Sequence, residues 1–470
     1  MASSPRRTKI VATIGPASSS EDALARIIEA GMDGARLNFS HGRHEDHAEN
    51  ARRVREAQAN AGRPLALIAD LQGPKLRVGE LPQKITLTKD EEVVVAGEDG
   101  SGTDDLPVSP AVIGSVLRPG HDVLIDDGLV KLRVEKVEAG RALCRVLTGG
   151  PVEAHKGVNV PGVQLPVPSL TSKDLADLGL AVELGVDYVA QSFVRSRADV
   201  AALRARLEEA GSEAWVIAKI ELKEAVDAAE EILDEADAVM IARGDLGVEI
   251  GAAEVPLLQK RIILSALERG KPAITATQML ESMIHHAEPT RAEASDVANA
   301  ILDGTSAIML SAETAVGEFP IEAVETMDRI ACAVEPSLGY RHQLPGAAES
   351  PTVGRAMSNA ACDLAEALGA KAILVPTFTG RTASAVARLR PRRPILALTH
   401  INVSLQHMAI EWGVTPLEIP ESTDVEDLWS RSLDAARGSG IVELGDRVVF
   451  TAGTAVNIPG STNVIKVDTA

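Results

Sequence analysis

The sequence predicts an α/β protein, built as a (β/α)8 or TIM barrel with a small inserted β-barrel lid domain and a C-terminal open α/β domain. Eight short apolar segments alternate with helical stretches between Lys9 and Pro336. This alternation is typical of parallel strands joined by helices. Residues 72–168 instead contain short strands separated by Gly, Pro and Asp, which indicates an all-β insertion. The βα pattern then restarts after Pro336.

Composition narrows the class of protein. The chain has 470 residues, enough for two to four domains at about 100–200 residues each. Its formal net charge of −20 disfavours binding to nucleic acid or to an anionic membrane. Its three widely spaced cysteines are typical of reduced cytosolic thiols, and no apolar signal region follows "MASSPRRTKI". We therefore expect a cytoplasmic protein with no nucleic-acid or membrane partner.

The eight barrel strands are predicted in chain order as "KIVATIG", "GARLNFS", "LALIADL", "DYVAQSF", "WVIAKIE", "AVMIARGD", "PAITATQ" and "SAIMLSAE". Amphipathic helices follow several of them, such as Ser20–Ala30 and Glu45–Ala61. Polar side chains occur where the strands end: Asn38, Ser40, Asp70, Ser192, Glu221, Asp245, Thr277, Ser311 and Glu313. In such barrels the chemistry lies at this end of the strands.

These patterns divide the chain into four segments. We predict a barrel domain in two parts, 1–71 and 169–336, interrupted by the lid domain at 72–168. A C-terminal α/β regulatory domain would occupy 337–470. Because the insertion leaves the barrel at its catalytic end, it could close over a substrate.

The fifth strand carries two charges that need an explanation. In "WVIAKIELKEA", Lys219 and Glu221 share one face of the strand. A buried charge is costly unless it is paired or bound to something. Lys219 could stabilise a transferring phosphoryl group, or act as a base or a Schiff-base amine; the alternative is a structural ion pair with Glu221.

Glu221 and Asp245 end neighbouring strands, so their carboxylates could together hold Mg²⁺, with water completing its shell. The alternative is that Glu221 pairs with Lys219 or Lys223 while Asp245 caps the next helix. Sequence spacing alone does not decide between these readings.

Three further motifs place polar groups at the same end of the barrel. Arg36, Asn38 and Ser40 share one strand face, where an arginine and two oxygen-bearing side chains suit a phosphate and a hard cation. In "ADLQGPKLRVG", Asp70 is followed by a Gly-Pro turn and then by Lys75 and Arg77. Thr275 and Thr277 share a face of the seventh strand, where a hydroxyl could relay a proton or simply favour a strand.

A hydroxyl- and glycine-rich turn opens a helix in the C-terminal domain. The stretch "PTFTGRTAS" could cradle a phosphate on its backbone N–H groups, or it could only cap the helix. Its candidate ligand residues are Thr377, Thr379, Gly380, Arg381, Thr382 and Ser384.

Taken together, the motifs resemble the pyruvate kinase family along essentially the whole chain. They are "KIVATIGPAS", "ARLNFSHG", "DLQGPKLRVG", "KGVNVPG", "AKIE", "MIARGDLGVE", "TATQMLESM", "PTRAEASDVANAILDGTSAIMLSAETAVG" and "TGRTA". The resemblance implies a barrel, a lid inserted after strand three and a C-terminal α/β domain. It also implies a reaction in which phosphoenolpyruvate and ADP give pyruvate and ATP.

The resemblance implies roles for single residues as well. Lys219 would stabilise the phosphoryl group and the enolate, Arg36 would contact the phosphate, and Thr277 would serve the protonation of the enolpyruvate. Glu221 and Asp245 would hold Mg²⁺, while the backbone of Gly244 and Asp245 would bind the substrate carboxylate. A second Mg²⁺ would arrive with ADP. The nucleotide-binding set would be Asn38, His41, Arg77 and Lys156.

One departure from the family pattern concerns potassium. Many members read "DTKGPEIR" where this chain reads "DLQGPKLR", so Leu71 replaces a threonine and Lys75 replaces a glutamate. The monovalent-cation site would otherwise use residues matching Asn38, Ser40 and Asp70. Because the Lys75 ammonium could stand where K⁺ sits, we predict an enzyme that needs Mg²⁺ but not K⁺.

The resemblance also implies regulation and assembly. The loop at 377–384 matches the family's effector site, and the C-terminal stretch lacks a tryptophan–arginine pattern, so we expect a sugar monophosphate or AMP as effector. A homotetramer is expected from the family. Two rivals remain: a metal-dependent aldolase or mutase acting on pyruvate or phosphoenolpyruvate, and a non-catalytic metabolite sensor.

Overall fold

The computed structural model describes residues 6–102, 105–339, 352–454 and 462–470. The start of the N-terminal stretch judged not to be a signal peptide (1–5) lies outside these ranges. The beginning of the predicted C-terminal domain (340–351) also lies outside them, as does part of the C-terminal stretch used to predict the effector (455–461).

The strands are numbered β1 to β22 along the described chain. They span Lys9–Thr13, Gly34–Asn38, Ala66–Asp70, Leu76–Val78, Ile85–Leu87, Glu92–Gly97, Leu106–Ser109, Asp122–Ile125, Val130–Glu138, Arg141–Thr148, Gly150–Val152, Gly157–Asn159, Tyr188–Gln191, Trp215–Ile220, Ala238–Ala242, Ala273–Ala276, Ala307–Leu310, Ala372–Pro376, Ile395–Thr399, Val414–Glu418, Arg447–Gly453 and Thr462–Thr469.

The α-helices are numbered α1 to α16 in the same way. They span Glu21–Glu29, His44–Ala61, Ile113–Val116, Ser172–Glu183, Arg197–Glu209, Lys223–Asp227, Ala229–Glu235, Arg243–Ile250, Val255–Arg269, Arg291–Leu302, Ala312–Ala315, Pro320–Val334, Val353–Ala367, Arg381–Ala387, Asn402–His407 and Val425–Gly438. Among the helices of the described ranges, none has the length and apolar character that crossing a bilayer requires.

Eight parallel strands close into a barrel, which confirms the predicted fold class. Their order around the barrel is β1, β17, β16, β15, β14, β13, β3, β2. These strands are apolar on both faces because helices cover the outside and side chains fill the inside. Inside the barrel, Ile68, Tyr188 and Met240 belong to one buried cluster.

A segment of the C-terminal domain closes the bottom of the barrel. Ala409 and Ile410 belong to the same buried cluster as the barrel interior. The Tyr188 hydroxyl donates to the carbonyl of His407 at 2.6 Å, and the imidazole of His407 stacks on Trp215 with 4.2 Å between the ring centroids. The opposite, C-terminal end of the strands therefore remains available for chemistry.

The insertion is a second closed barrel, as predicted. Seven strands form this barrel in the order β10, β6, β7, β4, β12, β8, β9. Strands β5 and β11 pair with each other as a separate two-stranded sheet. Alternating aliphatic side chains such as Val95, Leu106 and Leu132 fill its interior. Its strands lie within the predicted 72–168; the domain boundaries themselves stay a prediction.

The C-terminal domain is an open five-stranded sheet with the order β20, β19, β18, β21, β22. All its neighbouring pairs are parallel except β21 and β22. The turn predicted to bind an effector follows β18 and opens helix α14 at one end of this sheet.

Candidate active site

Lys219 occupies the centre of a buried polar network at the C-terminal end of the barrel. Its Nζ donates to Ser192 Oγ at 2.6 Å and lies 3.1 Å from Asp70 Oδ1 and 3.0 Å from Glu221 Oε1. Burial lowers the pKa of this ammonium, but the negative charges of Asp70 and Glu221 outweigh it and raise the pKa above its ordinary value. The network therefore keeps a positive charge inside the barrel mouth.

Arg36 adds a second buried cation beside the first. Its Nε donates to Asp70 Oδ2 at 2.7 Å, and its guanidinium also donates to Thr13 Oγ1 at 3.0 Å. Burial raises the pKa of the Asp70 carboxyl, but Lys219 and Arg36 outweigh it and the pKa is lowered. Asp70 is thus held ionised between two cations and fixes the position of both.

Glu221 has the features of a metal-binding carboxylate. It is 1% exposed, and its Oε2 accepts a hydrogen bond of 2.7 Å from the backbone N–H of Phe193. Burial raises the pKa of its carboxyl; Lys219 opposes this, and the negative charge of Asp245 adds to it. A divalent cation would offset the negative charges of these two carboxylates, so the residues fit Mg²⁺.

The protein supplies only a small part of such a metal shell. Within the part of the chain that the structure describes, no group of three or more His, Cys, Asp or Glu side chains is placed to hold a metal ion. Glu221 and Asp245 are two oxygen donors, and Mg²⁺ commonly keeps several waters or substrate oxygens in its shell.

Lys75 is placed differently from the expectation that it stands in the site formed by Asn38, Ser40 and Asp70. Its Nζ pairs with Asp245 Oδ1 at 2.7 Å. The physical reason is that Arg36 and Lys219 already compensate both oxygens of Asp70. Lys75 therefore neutralises the second predicted metal ligand, and its role as a substitute for K⁺ stays a prediction.

The other residues of the predicted potassium site cluster around Asp70. Asn38 Oδ1 accepts from the backbone N–H of Ser40 at 3.2 Å. The side chain of Leu71 is buried, and its carbonyl accepts from Ser192 Oγ at 2.7 Å. These contacts lie at the ends of β2 and β3, and Ser192 in turn accepts from Lys219.

Thr277 and Gly244 meet on the other side of the barrel mouth. The N–H of Gly244, in the first turn of α8, donates to Thr277 Oγ1 at 2.8 Å. Thr277 has φ +66°, a left-handed conformation that is costly for a β-branched residue. Such strain is often found where a side chain must be aimed at a substrate.

Arg243 is a site residue that the sequence reasoning missed. Its guanidinium donates to the carbonyl of Thr277 at 2.8 Å and pairs with Asp296 at 2.7 Å. Arg243 therefore stabilises the strained backbone at Thr277. Its position directly before the predicted Gly-Asp pair was the available signal.

The predicted nucleotide-binding residues lie at the rim between lid and barrel. Arg77 donates to the carbonyl of His155 at 3.0 Å, and Lys156 pairs with Asp126 at 3.1 Å. Desolvation lowers the pKa of the His41 imidazole, and the nearby charges of Arg77, Arg36, Lys75 and Lys173 lower it further. A neutral imidazole among cations is consistent with an anionic ligand at this rim.

Asp127 of the lid was also missed. It has φ +53° in the turn after β8, and burial raises the pKa of its carboxyl, with Lys75 opposing and Asp245 adding to the rise. The lid thus brings a third carboxylate towards Lys75 and Asp245. The adjacent acidic pair in "IDDGL" was the signal in the sequence.

The predicted effector loop divides into exposed and buried residues. Arg381 is exposed, Thr377 Oγ1 accepts from the N–H of Gly380 at 3.0 Å, and Thr382 Oγ1 lies 3.1 Å from Thr462 Oγ1. Ser384 points inward, where its Oγ donates to Glu411 Oε1 at 2.6 Å. Ser384 is therefore engaged by Glu411, whereas Thr379 is half-buried, and the role of the loop as an effector site stays a prediction.

Comparisons with known proteins identify one family over nearly the whole chain. A family model described as "Pyruvate kinase, barrel domain" matches residues 5–324, and one described as "Pyruvate kinase, alpha/beta domain" matches residues 355–468. The pyruvate kinase of Geobacillus stearothermophilus is 45% identical over 470 residues, covering 98% of this chain and 80% of that protein. The pyruvate kinase of Corynebacterium glutamicum is 44% identical over 465 residues, covering 98% and 97%, and that of Clostridium acetobutylicum is 42% identical over 468, covering 98% and 99%.

Proposed function

Because the chain belongs to the pyruvate kinase family, we propose that it is a phosphotransferase that converts phosphoenolpyruvate and ADP into pyruvate and ATP. The observation that carries the proposal is the position of Lys219, whose ammonium is buried among Ser192, Asp70 and Glu221 where the barrel strands end. A buried cation at this point can stabilise a phosphoryl group in transit.

Different groups of the chain bind the phosphoryl oxygens and the substrate carboxylate. Lys219 and Arg36 hold the phosphoryl oxygens from one side, and Asp70 keeps both cations oriented. The backbone N–H groups at the start of α8, at Gly244 and Asp245, receive the substrate carboxylate. Positioning and charge neutralisation of this kind supply most of the rate enhancement in phosphoryl transfer.

Glu221 and Asp245 are the proposed ligands of Mg²⁺. When bound, the ion supplies positive charge that offsets the charge on the substrate's carboxylate and phosphate oxygens. Lys75 pairs with one oxygen of Asp245, Oδ1, and the other carboxylate oxygen would be the ligand for the ion. A further Mg²⁺ would come with the nucleotide, near Asn38, His41, Arg77 and Lys156.

Once the phosphoryl group has left, the enolate oxygen faces Lys219. Its protonation at carbon to give pyruvate is assigned to the hydroxyl of Thr277 and the groups connected to it. The hydroxyl donates to the carbonyl of Ala276 at 2.7 Å and accepts from Gly244, so it is held at the mouth of the barrel.

We extend the proposal to ions, effectors and assembly. The ammonium of Lys75 beside Asp245 removes the need for K⁺. A sugar monophosphate or AMP would bind the loop Thr377–Thr382, and the chain would form a homotetramer in the cytoplasm. The support here is the lysine at position 75, the half-buried threonine hydroxyls of the loop and the exposed Arg381.

The decisive test is pyruvate formation from phosphoenolpyruvate and ADP with Mg²⁺, first without K⁺ and then with it. We expect full activity in both buffers. Activity only with K⁺ would overturn the role of Lys75 and leave the reaction intact. No activity in either buffer, with ribose 5-phosphate and AMP also tried, would favour an aldolase, a mutase or a metabolite sensor instead.

A further inference from the structure

Phe193 has an unusual backbone next to the proposed metal site. It is the second residue after the end of β13 and has φ +55°, which is a true outlier for a bulky side chain. In this conformation its N–H donates to Glu221 Oε2 at 2.7 Å. A strained residue persists only where its surroundings hold it, at a cost of about 1–3 kcal/mol.

The ring of Phe193 is held by the chain that enters the lid. At Gly73, with φ +70°, a Cβ atom would lie 2.9 Å from the Phe193 ring and 3.0 Å from the carbonyl oxygen of Ser192. Gly73 is itself fixed, because its N–H donates to Asp174 Oδ1 at 2.9 Å. Two residues further on, Lys75 Nζ lies 5.8 Å from the ring centroid, within cation–π range.

One residue therefore contacts both the lid entry and the metal ligand. We propose that Phe193 is a positioning residue that ties the lid entry at Gly73 and Lys75 to the orientation of the Glu221 carboxylate. The ring contacts the chain that enters the lid, and the N–H of the same residue holds the carboxylate oxygen of Glu221 by a hydrogen bond. This inference rests on the proposed function insofar as Glu221 is taken as a metal ligand.

The linkage follows from the strain. If the ring loses its contact with Gly73, Phe193 can relax to a negative φ, and its N–H then turns away from Glu221. The freed carboxylate has one fewer hydrogen bond to its charged form and more rotational freedom, both of which weaken metal binding. Glycine at position 73 is required because any side chain there would displace the ring.

The test uses two variants of the full-length protein and Mn²⁺ as the probe, since Mn²⁺ shares the oxygen-donor preference of Mg²⁺. Phe193→Leu keeps an apolar side chain but loses the aromatic face and the fit against Gly73. Gly73→Ala leaves Phe193 unchanged and pushes its ring. We expect each to raise the Kd for Mn²⁺, measured by electron paramagnetic resonance without substrate, by about tenfold, in line with the effect of changing groups that orient metal ligands.

Two matched controls separate positioning from general destabilisation. Phe450→Leu replaces a buried phenylalanine of the C-terminal domain, which is 1% exposed. Gly62→Ala replaces a glycine with φ +64° where a Cβ would meet nothing within 4 Å, so it carries backbone strain without the clash. We expect both controls to bind Mn²⁺ within twofold of the wild type.

If both test variants bind Mn²⁺ with wild-type affinity, the proposal is overturned. It is also overturned if the two control variants lose as much Mn²⁺ affinity as the test variants. An effect in Phe193→Leu but not in Gly73→Ala overturns the link to the lid entry. If the wild type binds Mn²⁺ but forms no pyruvate, and both substitutions weaken Mn²⁺ binding, the proposed reaction is disproved. The positioning role of Phe193 is then still supported.

Discussion

The ammonium of Lys75 lies 2.7 Å from Asp245 Oδ1, so a cation from the lid entry neutralises a carboxylate from the barrel. Both side chains are 20% exposed, which places the pair at the rim, where solutes can reach it. A monovalent positive charge is thus built into the chain close to a proposed Mg²⁺ ligand. Substitution of Lys75 alone can therefore test whether the protein requires K⁺.

Lys75→Glu should create a requirement for K⁺. The substitution removes the ammonium and adds a negative charge beside Asp245, which a monovalent cation can offset. In K⁺-free buffer we expect kcat for pyruvate formation to fall at least tenfold, and addition of K⁺ should restore most of it. The wild type should change less than twofold on addition of K⁺.

The control is Lys84→Glu, which makes the same charge change on an exposed lid lysine that pairs with Glu153. We expect it to resemble the wild type in both buffers. A Lys75→Glu enzyme that is fully active without K⁺ would show that the ammonium has no part in the ionic requirement.

Much of the fold follows from local patterns in the sequence. The barrel strands are short apolar runs with a polar residue at one end, and only helices on the outside and packing on the inside satisfy such runs. The lid was recognisable from short alternating strands, such as "LVKLRVEKVE". Lys219 and Glu221 stood out because charges in a buried strand are rare without a function.

The parts that the sequence did not predict depend on contacts between distant segments. The partner of Lys75 depends on how the lid sits on the barrel, and 170 residues separate the two. Ser384 turns inward because the segment at the barrel base brings Glu411 to it. The strain at Phe193 and Thr277 has no local signal, because neither residue type favours a positive φ.

Lys219→Met should abolish most activity and also destabilise the protein. It removes the cation proposed to face the phosphoryl group, so kcat should fall by about 10²–10³-fold or more. It also leaves Glu221 buried without its ion-pair partner, which should cost about 3 kcal/mol or more. Steady-state kinetics and thermal melting in EDTA measure the two effects. Lys223→Met, which changes an exposed lysine paired with Asp227, should leave both unchanged.

The catalytic rate should depend on the hydroxyl of Thr277 rather than on the shape of its side chain. Thr277→Val keeps the branched shape but cannot accept the N–H of Gly244, whereas Thr277→Ser keeps the hydroxyl. We expect kcat to fall about 10²-fold in the valine variant and less than fivefold in the serine variant. Exchange of the methyl protons of pyruvate in D₂O, followed by NMR, should slow in parallel. Equal rates for the two variants would contradict a role in proton transfer.

Glu411 should make folding stability depend on pH. Burial raises the pKa of its carboxyl from 4.5 to about 7, while the Ser384 hydroxyl and the charges of Arg390 and Lys9 oppose the rise. Between these two values the folded protein holds a proton that the unfolded chain releases. Stability from this group is therefore lost as pH rises from about 4.5 through 7, by about 3 kcal/mol in all.

Glu411→Gln removes this titration while keeping an oxygen that accepts from Ser384. We expect the free energy of unfolding of the variant, relative to that of the wild type, to rise by about 3 kcal/mol as pH increases from 5 to 8. Urea unfolding at several pH values measures this difference. Glu418→Gln makes the same substitution at an exposed position of the same domain and serves as the control. A flat difference for Glu411→Gln, or one that grows towards acid pH, would mean that the carboxyl is ionised in the folded protein at pH 5. The link between α14 and the barrel base would then be a charged contact rather than a neutral one.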